Sequence, residues 1–121
     1  MRVASAPMTA TPNGLTILDE ATGDHRTIAV RGELDLGTAK DLAAVLEGAA
    51  EGGVQRVTLD LHGVGFIDSS ALRALVLSGR ALAAAGCALE IGPRSEMVAR
   101  VLAMTSLDQG NDAFQVLPAG D

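Results

Sequence analysis

Residues 57–77 read VTLDLHGVGFIDSSALRALVL and join a strand to a helix. The apolar and polar residues of VTLDL alternate, which predicts a strand with one apolar face over residues 57–61. From Leu72 onward, apolar side chains recur at the spacing of one helical face, and this second helix is predicted to end at Gly86. The two serines of FIDSSA, residues 66–71, therefore lie at a strand-to-helix junction.

The sequence on both sides continues this alternation. A hairpin is predicted within residues 15–30, followed by a first helix in which Thr38 and Asp41 resemble a capping box. After the second helix come a strand at 88–91, a third helix, and a short strand or extended tail at 114–117. Because strands that alternate with helices at this spacing need crossover connections, the fold class is α/β, with a mixed sheet of four to five strands.

Composition excludes several classes of function. The chain has 121 residues, enough for one core, and a net charge of −6, which disfavours binding to nucleic acids or anionic membranes. Phe66 and Phe114 are its only aromatic residues and form no stacking platform for single strands. The single cysteine, Cys87, lies in an apolar run and is interpreted as a buried hydrophobe. Since no segment resembles a signal peptide or a membrane span, we expect a cytoplasmic protein.

The chain is predicted to contain a single domain with short extensions. Residues 1–13 are rich in Ala, Thr, Ser and Pro without periodicity, and are expected to form a flexible leader outside the fold. Residues 14–118 form the domain, and residues 119–121 are a tail.

The start of the second helix has a local interpretation and a functional one. Asp68 is predicted to be the N-cap, because its carboxylate can accept amide hydrogens of the first turn, with Ile67 and Leu72 packed as a hydrophobic staple. Ser69 and Ser70 then fall in the exposed first turn. On residue type alone, these polar residues serve only to begin a helix.

Two chemical roles for the serines can be weighed. A nucleophilic serine needs a base, but the chain offers only His25 in a predicted hairpin turn and His62 in a predicted Gly-rich loop, and it lacks a G-x-S-x-G elbow. A serine that accepts a phosphate is more apt, since the helix dipole and free amides stabilise an anion there. The phosphate would add about −1.5 to −2 charge to an acidic surface and would eject an apposed partner.

Four segments, taken in order, resemble STAS domains, specifically bacterial anti-sigma factor antagonists. The match covers roughly residues 15–117, and its segments are GELD (32–35), VTLDL (57–61), VGFIDSSALRAL (64–75) and VARVLAMTSLD (98–108). The resemblance implies helices packed mainly on one face of the sheet. It also implies a non-enzymatic protein that binds an anti-sigma factor, itself a serine kinase, and thereby frees a sigma factor.

The resemblance further implies a phosphorylation switch. The kinase, which binds the ATP, would phosphorylate Ser69, with Ser70 as the fallback, and a PP2C-type phosphatase would reverse the reaction. The chain itself is expected to bind no cofactor and no metal, and to be a monomer or weak dimer. Ala71 stands where the family usually has Gly, which makes its methyl group a candidate obstacle to the kinase.

A set of residues is implied to bind the partner: Glu33, Asp35, Asp68, Ser69, Ser70, Ala74 and Leu77. Glu33 and Asp35 could meet basic side chains of the kinase, or could equally belong to a solvated turn. A stripe of mostly small residues, Ser70, Ala74, Leu77 and Ala81, would let another chain pack closely, although a broad core-facing surface explains it better.

An alternative function keeps the fold and removes the switch. The chain would then be a constitutive STAS scaffold, for example a stressosome-like subunit or a component of a transport complex. Gel filtration separates the two, because a scaffold is expected in a large assembly.

Overall fold

The computed structural model describes residues 8–118, which form one mixed sheet and three helices. The strands are β1 (Thr9–Ala10), β2 (Thr16–Thr22), β3 (His25–Leu34), β4 (Arg56–Ile67), β5 (Ala88–Arg94) and β6 (Gln115–Val116). The helices are α1 (Leu36–Glu47), α2 (Ser69–Ala84) and α3 (Glu96–Met104).

The six strands lie in the sheet in chain order, from β1 to β6. The first three strands pair antiparallel, as the predicted hairpin requires, whereas β3 to β6 pair in parallel. Each parallel connection after β3 contains one α-helix, because neighbouring parallel strands need a crossover, and the first and last also contain a short 3-10 helix, Glu51–Gly53 and Leu107–Gln109. The predicted α/β class and mixed sheet are confirmed.

One face of the sheet carries the apolar core. Ile28, Leu59 and Ile91 are partners on three adjacent strands, so they share a face, and all three are fully buried. The buried residues of the three helices join the same cluster: Leu42, Leu46, Leu72, Leu75, Leu82, Val98 and Leu102. This arrangement confirms that the helices pack mainly on one face.

The opposite face of the sheet is polar at its centre. Thr27, Thr58 and Glu90 form the neighbouring row of partners, and the Thr58 hydroxyl donates to Glu90 Oε1 at 3.0 Å. His25 Nε2 lies 2.8 Å from the same hydroxyl oxygen. Glu90 is buried but hydrogen-bonded, so its carboxylate is not left without a partner in the fold.

Strand β4 is longer than residues 57–61, the range expected from sequence. Gly63 lies opposite Arg31, and a Cβ atom at this glycine would lie only 2.7 Å from Arg31 Cγ. The glycine therefore permits close approach of two strands beside a register shift, rather than ending β4. Pairing continues to Leu34 and Ile67, so β3 and β4 end side by side.

The N-terminal boundary also differs from the expected leader at residues 1–13. Strand β1 pairs with β2, and Asn13 donates its backbone and side-chain N–H groups to the two Asp41 carboxylate oxygens at 2.9 and 3.0 Å. Residues 9–13 are therefore held to the domain by contacts that a local pattern does not reveal. Strand β1 also brings the count to six instead of four to five. Residues 1–7 and the expected tail, residues 119–121, lie outside the described residues.

Candidate functional site

Two strand-to-helix junctions lie next to each other at one edge of the sheet. Leu34 and Ile67 are paired as the last residues of β3 and β4, and the Asp68 backbone N–H donates to the Leu34 carbonyl at 3.1 Å. Asp35 and Asp68 follow these strands directly, and each is the N-cap of the next helix. The first turns of α1 and α2 therefore begin beside one another.

The α2 junction begins as the sequence predicts. Asp68 has an extended backbone, and its Oδ1 atom accepts from the Ala71 backbone N–H at 3.0 Å. Ile67 and Leu72 are both buried on either side of the cap. This is the geometry of an N-cap, and it determines where the first turn of α2 starts.

The two serines occupy the first two positions of α2. Ser69 is exposed and Ser70 is half-buried. Neither hydroxyl makes a hydrogen bond to any residue in the described range 8–118. The Ser69 hydroxyl therefore stands at a helix N-terminus with both its proton and its lone pairs available to another molecule.

At the α1 junction the nearby hydroxyl, on Thr38, is buried and hydrogen-bonded within the fold. Thr38 is only 5% exposed, and its Oγ1 donates to the Glu33 carbonyl at 2.7 Å while accepting from the Asp35 backbone N–H at 2.9 Å. Asp35 Oδ1 in turn accepts from the Thr38 backbone N–H at 3.0 Å, which completes a capping box. The expectation that Thr38 and Asp41 form this box is wrong, because Asp35 is the cap and Thr38 the third helical residue.

The capping box also lowers the pKa of Asp35. The Thr38 backbone N–H, and next the Thr38 side chain, stabilise the ionised carboxyl and lower the pKa of Asp35 below its ordinary value. This carboxylate accepts a hydrogen bond from the first turn of α1. Glu33 differs, since it is exposed opposite Phe66 and forms no ion pair within residues 8–118. Both residues remain predicted partner contacts, and they differ in that Asp35 Oδ1 is already bonded to Thr38.

The residues of the predicted stripe on α2 differ in how far they are buried. Ser70 and Ala74 are half-buried, and Ala74 faces α1. Leu77 is 52% exposed and lies with Ala81 along an apolar groove of about 240 Å³ between α1 and α2. The α1 side of that groove is lined by Ala43, Leu46, Glu47 and Ala50.

Sequence reasoning missed two exposed apolar residues at the same edge. Leu36, the first residue of α1, is 62% exposed, and Phe66, next to the end of β4, is 42% exposed. Apolar residues of the first helix recur at positions 42, 45, 46 and 49, and Leu36 lies off that face, which is the one local signal that could have drawn attention to it. Phe66 had no such signal, because it belongs to a continuous run before the helix.

The methyl group of Ala71 points away from the serines. Ala71 is 1% exposed and lines the interface between α1 and α2, together with Leu34, Ala39 and Leu75. The methyl group is therefore a core atom. It does not occupy the surface from which another protein would approach Ser69.

The histidines are engaged elsewhere. His25 is at the start of β3, about 30 Å from its far end by strand rise, and is bonded to Thr58. His62 lies within β4 and not in the expected loop; it is exposed, and its Nδ1 atom lies 3.4 Å from Asp60 Oδ1. Neither ring contacts a serine of the α2 junction by hydrogen bond, so the structure offers no Ser–His pair there.

Comparison with known proteins identifies the family. A family model described as Mlab, STAS domain, matches residues 17–118. The chain belongs to the STAS domain family. No curated protein matches the sequence of this STAS domain. No helix in its described part, residues 8–118, has the length and apolar character to cross a membrane.

Solved structures with the same fold include anti-sigma factor antagonists. The STAS domain superposes on one from Mycobacterium paratuberculosis with a TM-score of 0.73, 23% identity and 92% of each chain covered. SpoIIAA in its unphosphorylated form gives a TM-score of 0.67 and 20% identity over 84% of this chain and 88% of that chain. The phosphorylated form of SpoIIAA from Bacillus gives 0.61 and 20% identity over 84% of this chain and 91% of that chain. These similarities concern the fold, and they confirm the predicted architecture.

Proposed function

We propose that this STAS domain is an anti-sigma factor antagonist that is switched off by phosphorylation of Ser69. In its unphosphorylated form it binds an anti-sigma factor serine kinase and releases the sigma factor. A PP2C-type phosphatase restores the active form. The protein catalyses no reaction, and the chemistry takes place in the kinase.

One observation carries this proposal: Ser69 is exposed, makes no hydrogen bond to the rest of residues 8–118, and begins a helix. A kinase can reach such a hydroxyl without unfolding the chain. The helix N-terminus then stabilises the phosphate that arrives there. Ser70 is half-buried, which supports keeping it as the fallback.

The surface around Ser69 suits a protein partner. Leu36 and Phe66 supply exposed apolar area at the same edge of the sheet, and Glu33 supplies an exposed carboxylate. Apolar anchors beside a charge are typical of binding surfaces. Adding about −1.5 to −2 charge at Ser69 places a hydrated dianion on this surface, so a partner that packs against it is expelled.

The test uses an anti-sigma factor kinase from the same organism, in complex with its sigma factor. Adding the unphosphorylated protein is expected to release the sigma factor during gel filtration, and prior treatment with kinase and ATP is expected to abolish that release. Ser69→Ala should release the sigma factor before and after the same treatment. If the folded protein neither binds the kinase nor releases the sigma factor, the proposal fails.

The second candidate is a constitutive scaffold, and the apolar groove between α1 and α2 favours it. Leu77 lies eight positions after Ser69, which is about 12 Å along the helix, so a partner in the groove would not touch the acceptor. Substituting Leu77→Ser should then disrupt a large assembly, whereas Ser69→Asp should leave it intact. Gel filtration of both variants distinguishes the scaffold from the switch.

A further inference from the structure

Arg73 differs from the other arginines of α2 and α3. Arg80 Nε lies 3.3 Å from Asp112 Oδ1, and Arg100 Nη2 lies 3.8 Å from Glu96 Oε1. Arg73 is exposed and makes no hydrogen bond or ion pair within residues 8–118. Its guanidinium group is therefore a cation without an internal partner, in a chain whose net charge is −6.

Helix geometry places this cation beside the serines. Arg73 lies four positions after Ser69 and three after Ser70, and residues at these spacings are neighbours on a helix surface, with about 5–6 Å between Cβ atoms. Side chains on an α-helix lean toward its N-terminus. The long side chain of Arg73 is thereby directed toward the turn that begins with Ser69.

The caps and strand ends at the two junctions carry carboxylates, and the packed helix α1 carries one cation, Lys40, in its second turn. Asp68 precedes the acceptor, and Glu33 and Asp35 lie at the adjacent junction. A phosphate on Ser69 would meet these carboxylates, with Arg73 as the one basic side chain in the first two turns of α2. An arginine can bind a phosphate through two parallel N–H···O bonds, which a lysine cannot do.

We propose that Arg73 binds the phosphate carried by Ser69 and holds it against the first turn of α2. This inference rests on Ser69 being the phosphorylated residue. Arg73 would have no role in the unphosphorylated fold, which agrees with its lack of a partner there. It would offset the repulsion from the nearby carboxylates, so that the phosphorylated protein keeps its helix and its fold.

The test installs phosphoserine at position 69 genetically, so that no kinase is needed. The second ionisation of the phosphate is followed by ³¹P NMR in the native chain and in Arg73→Gln. The native chain is expected to show a phosphate pKa lower by at least about 0.3 units, or about twofold in the dissociation constant, because Arg73 favours the dianion. Raising the salt concentration should reduce this difference.

Two matched variants complete the test. Arg80→Gln removes the same charge from the same helix but eleven positions from Ser69, and should leave the phosphate pKa unchanged. Arg73→Lys keeps the charge without the planar fork and should retain part of the shift. Equal phosphate pKa values in the native chain and Arg73→Gln would overturn the inference, as would an equal change in Arg80→Gln. Because no kinase takes part, this result is independent of whether the proposed switch operates.

Discussion

The two junctions at the edge of the sheet begin alike and end differently. Both follow parallel strands that stop at the same level, and both use an aspartate as the N-cap. At the α1 junction the nearby hydroxyl, on Thr38, is buried and bonded to two backbone groups. At the α2 junction the hydroxyl of Ser69 is exposed and makes no bond within the described residues. After the same kind of N-cap, the hydroxyl of Thr38 therefore stabilises the fold, whereas the hydroxyl of Ser69 is available to another molecule.

The largest expected difference between the junctions is in binding. Ser69→Asp should weaken the affinity for the kinase at least about tenfold, or about 1.4 kcal/mol, because it places a carboxylate on the partner surface. Ser69→Ala should bind like the native chain. The affinities can be measured by calorimetry.

The control for this substitution is Ser106→Asp. Ser106 is exposed and has φ of 61°, a conformation that aspartate tolerates, so the variant adds the same charge elsewhere. Equal affinities for Ser69→Asp and Ser106→Asp would mean that net charge, and not the α2 junction, governs binding.

A second comparison concerns stability. Thr38→Val should lower the free energy of unfolding by about 1–3 kcal/mol, because the Glu33 carbonyl and the Asp35 N–H lose their partner in a buried place. Ser69→Ala should change it by no more than about 0.5 kcal/mol. Urea titrations with unchanged slopes give both values. Similar losses of unfolding free energy in Thr38→Val and Ser69→Ala would contradict the view that only the Thr38 hydroxyl stabilises the fold.

The third prediction concerns Ala71. Replacing it with glycine should destabilise the fold by about 1 kcal/mol or more, since glycine is a poor helix former and a buried methyl group is lost. The rate of Ser69 phosphorylation should not rise, because the methyl group faces α1. A clearly faster reaction in Ala71→Gly would show that the alanine obstructs the kinase.

The smallest effect is expected in the pH dependence of the α1 junction. Hydrogen bonds from Thr38 lower the pKa of Asp35 in the folded state below the value of about 3.9 in the unfolded chain. The stabilisation is therefore complete above that unfolded value and is lost as the pH falls through the lower folded value.

Asp35→Asn tests this pH dependence, because asparagine keeps an oxygen for capping but does not ionise. The advantage of the native chain over the variant, measured by urea midpoints, should shrink between about pH 6 and about pH 3. An advantage that is constant over this range would contradict the account.

The sequence predicted the features that depend on local patterns. Alternation identified the hairpin and the α/β order, and Asp68 was recognised as a cap because its effect is confined to one turn. Features that depend on distant pairing were missed. Asp35 follows the last paired residue of β3, Leu34, whose partner is Ile67 of β4. Strand β4 continues beyond Gly63 because a residue without a Cβ atom leaves room for the Arg31 side chain opposite.

The candidate site shows the same limit. The position of the cap predicted an exposed first turn for both serines, and the resemblance to STAS domains singled out Ser69. The exposure of Leu36 and Phe66 could not, because it depends on how two parallel strands end at one edge. Glu33 and Asp35 looked equivalent in sequence, and only the capping box separates them.

The most direct test of the account is to map the phosphate after incubation with the cognate kinase and ATP. Mass spectrometry should find it on Ser69, with none on Thr38, and Ser69→Ala should remain unmodified or carry only traces on Ser70. An active kinase that binds the native chain but modifies neither Ser69 nor Ser70 would contradict the central claim.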